Sequence, residues 1–155
     1  MKFSVSNIAL TEFDHVGELQ ALAAMGFRGL EVSPSRAWRD WGPGLKGAAI
    51  DAYRLSVEDA GLAIVGLHTL FWARPDLGLF RGSEIRAATM DFLVHLSSLC
   101  ADLGGYTLVF GSGGARRRGA LPFEDAVSEC VDFFSEMAPR IEPHGTCFAF
   151  EPLGT

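Results

Sequence analysis

The sequence predicts an α/β protein built on a largely parallel sheet, and three observations carry that prediction. Strand-like and helix-like stretches alternate along all 155 residues. Residues 62–70 form a continuous apolar run, the pattern of a strand buried on both faces in a parallel sheet. The helical patterns end at Gly26, Gly61 and Gly104-Gly105, and Gly145 precedes the last strand, as expected where the chain must leave one element for the next. Parallel neighbours need right-handed crossovers, which leaves two architectures: an open doubly wound sheet or part of a (β/α)8 barrel. Both put ligands at the carboxyl ends of the strands.

Residues 3–10 read as the first strand. Thr11, with Asp14 three positions on, is expected to cap a helix that turns Phe13, Val16, Leu19 and Leu22 to one face. Residues 30–33 form a short second strand in which Glu31 and Ser33 share the face opposite Leu30 and Val32. A Gly-, Pro- and Trp-rich connection over residues 34–47 leads to a helix over residues 48–60. The apolar third strand, 62–70, has His68 near its far end, on the face of Gly66 and Ile64. After a second long connection, 71–82, Ser83 opens the longest helix, with Ile85, Phe92, Leu93, Leu96, Leu99 and Leu103 at helical spacing. Residues 106–110 are the fourth strand. Pro122 starts a helix whose inner stripe is expected to be Val127, Cys130, Val131, Phe134 and Met137. The fifth strand closes on Glu151, with Cys147 and Ala149 on its narrow face and Phe148 and Phe150 on the other.

Composition is that of a globular protein, 48% hydrophobic and 21% charged. A formal net charge of -6 and an isoelectric point near 5.1 weigh against a nucleic-acid partner. Cys100, Cys130 and Cys147 have no C-x-x-C spacing and are expected to be reduced thiols. No signal-peptide pattern opens the sequence and no stretch has membrane-spanning character, so no membrane partner and a cytoplasmic location are expected. The turn after the first strand, residues 6–11, contains no glycine, so the dinucleotide-binding fingerprint is absent.

Glu151 is the leading candidate for chemistry, as a carboxylate at a strand's carboxyl end. His68 follows as a group able to hydrogen-bond a substrate hydroxyl, then Glu31, and Asn7 on the strand-one face shared with Val5. The loop 111–119 joins flexible glycines to Arg116, Arg117 and Arg118, either an anion cradle for a phosphate or carboxylate or a solvated basic loop. Ser112 and Arg116 are its candidate binding residues. Trp38, Trp41 and Trp72 lie in connections, where aromatics wall sugar pockets, cover cores or meet partners. His15, His95 and His144 fall away from the strand ends and are read as structural or solvated.

Four stretches resemble one family. Ala23-Ala24-Met25-Gly26-Phe27-Arg28-Gly29-Leu30-Glu31-Val32 resembles the second strand of the sugar phosphate isomerase/epimerase group of xylose isomerase-like TIM barrels. Gly66-Leu67-His68 resembles its third strand, Leu108-Val109-Phe110-Gly111-Ser112-Gly113 its fourth and Phe150-Glu151-Pro152-Leu153 its fifth. The resemblance implies one α/β domain over residues 1–155, comprising about the first five strands and four helices of an eightfold barrel. A full barrel needs ~250 residues.

It also implies a sugar or sugar-phosphate isomerase or epimerase with a divalent metal (Mn, Mg, Co or Zn), Glu151 being both a metal ligand and an acid/base carboxylate. The family's other ligands, an Asp, a His and a second Glu from later strands, have no counterparts here. The 155 residues alone are therefore expected to be inactive, to bind metal weakly and to assemble with another copy or a missing carboxyl-terminal half. Two other readings stand beside this one. The first is a non-catalytic half-barrel acting as a binding or assembly module. The second is an endonuclease IV-like phosphodiesterase, which would want a His after strand four where this sequence has Phe110-Gly111-Ser112.

Overall fold

The computed structural model describes residues 2–153. Its strands are β1 (Ser4–Ser6), β2 (Gly29–Val32), β3 (Ala63–Leu67), β4 (Thr107–Phe110) and β5 (Cys147–Phe150). The helices are α1 (Val16–Ala24), α2 (Pro34–Ala37), α3 (Gly47–Asp59), α4 (Ser83–Asp102) and α5 (Phe123–Ile141). All neighbouring strands are parallel and the sheet order is β1-β2-β3-β4-β5. That order decides between the two architectures. A doubly wound sheet reverses direction at a switch point, whereas strands added one after another on the same side make a barrel wall.

Alternation along the strands separates two faces. Leu30, Val32, Ile64, Leu67, Leu108 and Phe110 face the helices and are buried, and Val5 and Phe148 pack against the same core. The helix that matters most is α4, which buries Met90, Phe92, Leu93, Leu96, Leu99 and Cys100 behind β3 and β4. Each such side chain taken out of water stabilises the fold by about 1.5–3 kcal/mol. On the other face, Gly29, Ser4 and Val65 meet one another: a Cβ on Gly29 would touch both side chains. Val65 is 38% exposed there, on the concave side of the wall.

The structure corrects several boundaries. β1 ends at Ser6, because the Ser6 hydroxyl accepts the Ile8 amide and turns residues Asn7–Ala9 into a 3-10 helix. α1 begins at Val16, not beside Thr11, since Phe13 takes a left-handed φ of 63° and gives its N–H to the Arg36 carbonyl. Thr11 still meets the helix, donating its N–H to Glu18 Oε2 at 2.7 Å. Val16 lies outside the apolar stripe at 48% exposure. Part of the 34–47 connection is the short helix α2, with Pro34 in its first turn. α5 departs from the expected stripe in part: Met137 is buried and Cys130 and Phe134 pack against the core as expected, but Ala126 and Phe133 are buried too, while Val127 and Val131 are 41% and 59% exposed. Apolar residues lie on two sides of this helix, and the sequence period alone does not say which side meets the sheet.

One irregularity governs the site. Between β2 and β3 the register runs Leu30 to Ile64 but Glu31 to Gly66, so Val65 is an extra residue in β3. Ile64 packs toward the helices, yet the extra residue reverses the parity beyond it. His68 therefore shares a face with Gly66 but not with Ile64, contrary to simple alternation.

Candidate active site

Glu31, His68, Gly111, Ser112 and Glu151 line one cavity of about 500 Å³, with Trp72 at its rim. Each comes from the carboxyl end of a strand or the loop just beyond it. The chain turns sharply after His68, where Thr69 adopts a φ of 51° and its hydroxyl lies between the Ser33 hydroxyl and the His68 carbonyl. The turn brings residues 69–75 over the opening.

Glu151 projects from the end of β5 across the end of β4. Its backbone N–H donates to the Phe110 carbonyl at 3.3 Å, and Arg116 Nη2 donates to its own carbonyl at 3.0 Å. The carboxylate lies so close to Gly111 that a Cβ there would collide with Oε2. Gly111 is thus part of the site: its missing side chain is the space the carboxylate occupies. We expect Gly111→Ala to push the Glu151 carboxylate aside with little loss of stability, because the displaced group is exposed. Urea denaturation checks this; a loss above about 2 kcal/mol would show that the carboxylate cannot yield.

His68 Nε2 is 2.6 Å from the Ser6 hydroxyl. Burial pushes the His68 imidazole below its ordinary pKa, with the Glu31 and Glu151 carboxylates partly opposing the shift. Because the unfolded chain takes up the proton at higher pH, folding is penalised as pH falls below 6.5 toward the depressed folded value. Above that range the contribution is constant. The expected result is that wild type loses more stability than His68→Asn on acidification through this window, read by denaturation midpoints at several pH values. Parallel curves would mean that burial of His68 carries no such penalty.

The other candidates separate. Asn7 is fully buried, its Oδ1 accepting the Ser33 amide at 2.7 Å and its Nδ2 donating to the Ser33 carbonyl at 3.1 Å. It ties the end of β1 to the end of β2 and does not line the cavity. Arg116 braces the Glu151 backbone and stacks 5.8 Å from Phe110, while Arg118 donates to the Leu121 carbonyl, and neither lines the cavity. Trp41 is buried against Phe92 and Trp38 packs on Tyr53; only Trp72, 64% exposed, stands at the cavity. His15 is buried between the Thr11 carbonyl and the Tyr53 hydroxyl. His95 donates to the Trp41 carbonyl, and His144 pairs with Ser97.

Sequence reasoning missed Ser6, Arg74 and Arg81. Ser6 could have been found from alternation along residues 3–10, which already sets its side chain opposite Val5, beside Glu31 in register. Arg74 and Arg81 reach the cavity from the 71–82 connection, Arg74 held by Asp76 at 2.7 Å and by Phe92, 4.6 Å from its guanidinium. Among the described residues, no group of three or more His, Cys, Asp or Glu side chains is gathered that could hold a metal ion. No described helix is long and apolar enough to cross a membrane.

A one-layer parallel wall, helices on its convex side and polar groups gathered at its carboxyl ends, defines the (β/α) barrel class. The profile of the xylose isomerase-like TIM barrel family matches residues 19–155, and the chain belongs to that family. Among solved structures it is similar to D-psicose 3-epimerase from Clostridium cellulolyticum H10, with a TM-score of 0.74 and 16% identity over 99% of this chain and 53% of that one. It is also similar to a sugar phosphate isomerase/epimerase from Parabacteroides distasonis ATCC 8503, with a TM-score of 0.68 and 20% identity over 96% and 50% of the two chains. A third, 3-keto-D-glucoside 4-epimerase from E. coli, gives a TM-score of 0.73 and 17% identity over 99% and 56%. The chain spans about half the length of these proteins. No curated protein sequence matches it.

Proposed function

We propose that this chain supplies the amino-terminal half of a sugar isomerase or epimerase site, with Glu151 as the carboxylate that moves a proton at a carbon next to a sugar carbonyl. The observation that carries the reading is the convergence of Glu151, His68 and Glu31 on one cavity at the strand ends. A carboxylate held against Gly111, open to the cavity, suits abstraction and return of such a proton. His68 hydrogen-bonds a sugar oxygen, Glu31 accepts from a hydroxyl, and Trp72 offers an apolar face at the rim.

The chemistry a bound Mn, Mg, Co or Zn ion supplies in such a reaction is to hold adjacent oxygens and stabilise negative charge on them. Glu151 is this chain's candidate ligand. The described residues do not complete a ligand set around it, and further ligands would come from outside them. The substrate is proposed to be a small-molecule sugar or sugar phosphate.

The concave side of the wall is proposed to be closed by further barrel strands, either from another polypeptide segment or from a second copy. On the helix side of the same open edge, Phe150, 51% exposed although it stacks 4.7 Å from Phe134, and Val131, 59% exposed, support an apolar seat for the outer layer of the next strand-helix unit. The deciding experiment is solvent-deuterium exchange: the full-length protein with manganese and a panel of ketoses in heavy water. Label at the carbon beside the carbonyl, together with the epimer or isomer, is the expected outcome. Neither label nor product from any ketose or ketose phosphate would leave the assembly-module reading in its place.

A further inference from the structure

We propose that Ser6 is the positioning residue for His68: its hydroxyl donates to Nε2 and thereby presents the Nδ1–H of a neutral imidazole to the cavity, as a donor to an oxygen of the ligand. The 2.6 Å separation makes this a short, well-formed hydrogen bond. The proposed direction is the one that gives the hydroxyl's single hydrogen an acceptor within the protein. One lone pair of Ser6 Oγ is taken by the Ile8 amide at 3.1 Å, the bond that caps the 3-10 turn. The single hydrogen then has Nε2 as its acceptor. In the reverse arrangement, with Nε2–H donating to Oγ, the serine hydrogen has no acceptor among the described residues.

With Nε2 accepting, the ring proton resides on Nδ1, which has no hydrogen-bond partner among the described residues, and His68 lines the cavity. Burial independently disfavours the doubly protonated ring, so the neutral tautomer is the working form. The local geometry has two independent origins in the chain. The extra residue Val65 turns His68 to the concave face, and alternation along β1 sets the Ser6 hydroxyl on that same face, opposite Val5.

The chemical consequence is specific. An Nδ1–H donor selects a ligand atom with a free lone pair, a carbonyl or hydroxyl oxygen, and leaves proton abstraction to Glu151. The identity of that oxygen as a sugar's rests on the function proposed above; the tautomer does not.

The test uses the full-length protein with nitrogen-15-labelled histidine and long-range proton–nitrogen correlation, His68→Asn assigning the His68 signals. In wild type at neutral to mildly basic pH, Nδ1 is expected to show the shift of a protonated nitrogen and Nε2 that of a bare one. Ser6→Ala should lose this pattern in favour of mixed tautomers, and Ser6→Thr should keep it. Turnover is expected to fall about tenfold in Ser6→Ala, the loss of roughly one hydrogen bond, and to return in Ser6→Thr. A protonated Nε2 in wild type overturns the proposal, and that reading stands even if Ser6→Ala fails to fold. So does a tautomer signature that Ser6→Ala leaves unchanged, whatever happens to activity. If the signature behaves as described but no sugar is turned over, the positioning role holds and the sugar reading alone fails.

Discussion

In the proton-transfer role proposed for Glu151, its replacement with Gln is expected to lower proton exchange on a sugar substrate by about 10³-fold while leaving the fold intact. The amide has nearly the same shape and fits beside Gly111, but it cannot take up the proton. Its exposed position, and the fact that Arg116 holds the Glu151 backbone and not the carboxylate, mean that the substitution removes no packing and no ion pair. Deuterium exchange measured beside circular dichroism separates the two effects. Exchange retained to within about tenfold would remove Glu151 from the role of base and shift attention to Glu31.

The largest expected effect on stability comes from Gly66→Ala. A Cβ at this position would be driven into the carbonyl oxygen of Thr107, a backbone atom that cannot swing aside. β3 and β4 are joined there through Gly66 with Thr107 and Leu67 with Leu108, so forcing the strands apart breaks the sheet at its middle. A loss of about 3 kcal/mol or more is expected, enough to prevent folding if the protein is marginal. Gly29→Ala is the informative contrast, since its added methyl meets Val65 Cγ1, which can rotate, and Ser4 Cβ, which moves only with the end strand β1, and it meets no carbonyl oxygen of a central strand. Urea midpoints for the two variants check the argument. A cost below about 1 kcal/mol for Gly66→Ala would mean that the strand pair is more yielding than its close approach indicates.

The legible parts of the fold were those set by near neighbours in the chain. The long stripe of α4, with Phe92, Leu93, Leu96 and Leu99, appears as helical spacing and is buried as such. On β5, Phe148 is in the core and Phe150 stacks on Phe110 and Phe134, the side opposite Glu151, as alternation requires. Glu151, His68 and Glu31 were found because each closes a strand, and in a parallel sheet the strand ends are where loops and cavities lie. Where two apolar sides compete, as on α5, the local pattern carries no preference; Phe133 joined Met137 on the inner side, and Val127 and Val131 were left outside, only once the sheet was there to pack against.

By itself, then, the sequence determined the alternation of strands and helices, their parallel arrangement and the strand-end carboxylates, because these follow from periods of two and 3.6 residues and from where glycines let the chain turn. Tertiary structure alone decided that Val65 is an extra residue that reverses the face of His68, that Ser6 stands 2.6 Å from that imidazole, and that Glu151 occupies the space left by Gly111. Each of these contacts joins residues from different strands. Their separation in space depends on register and on the close approach of backbones, quantities that no local period encodes.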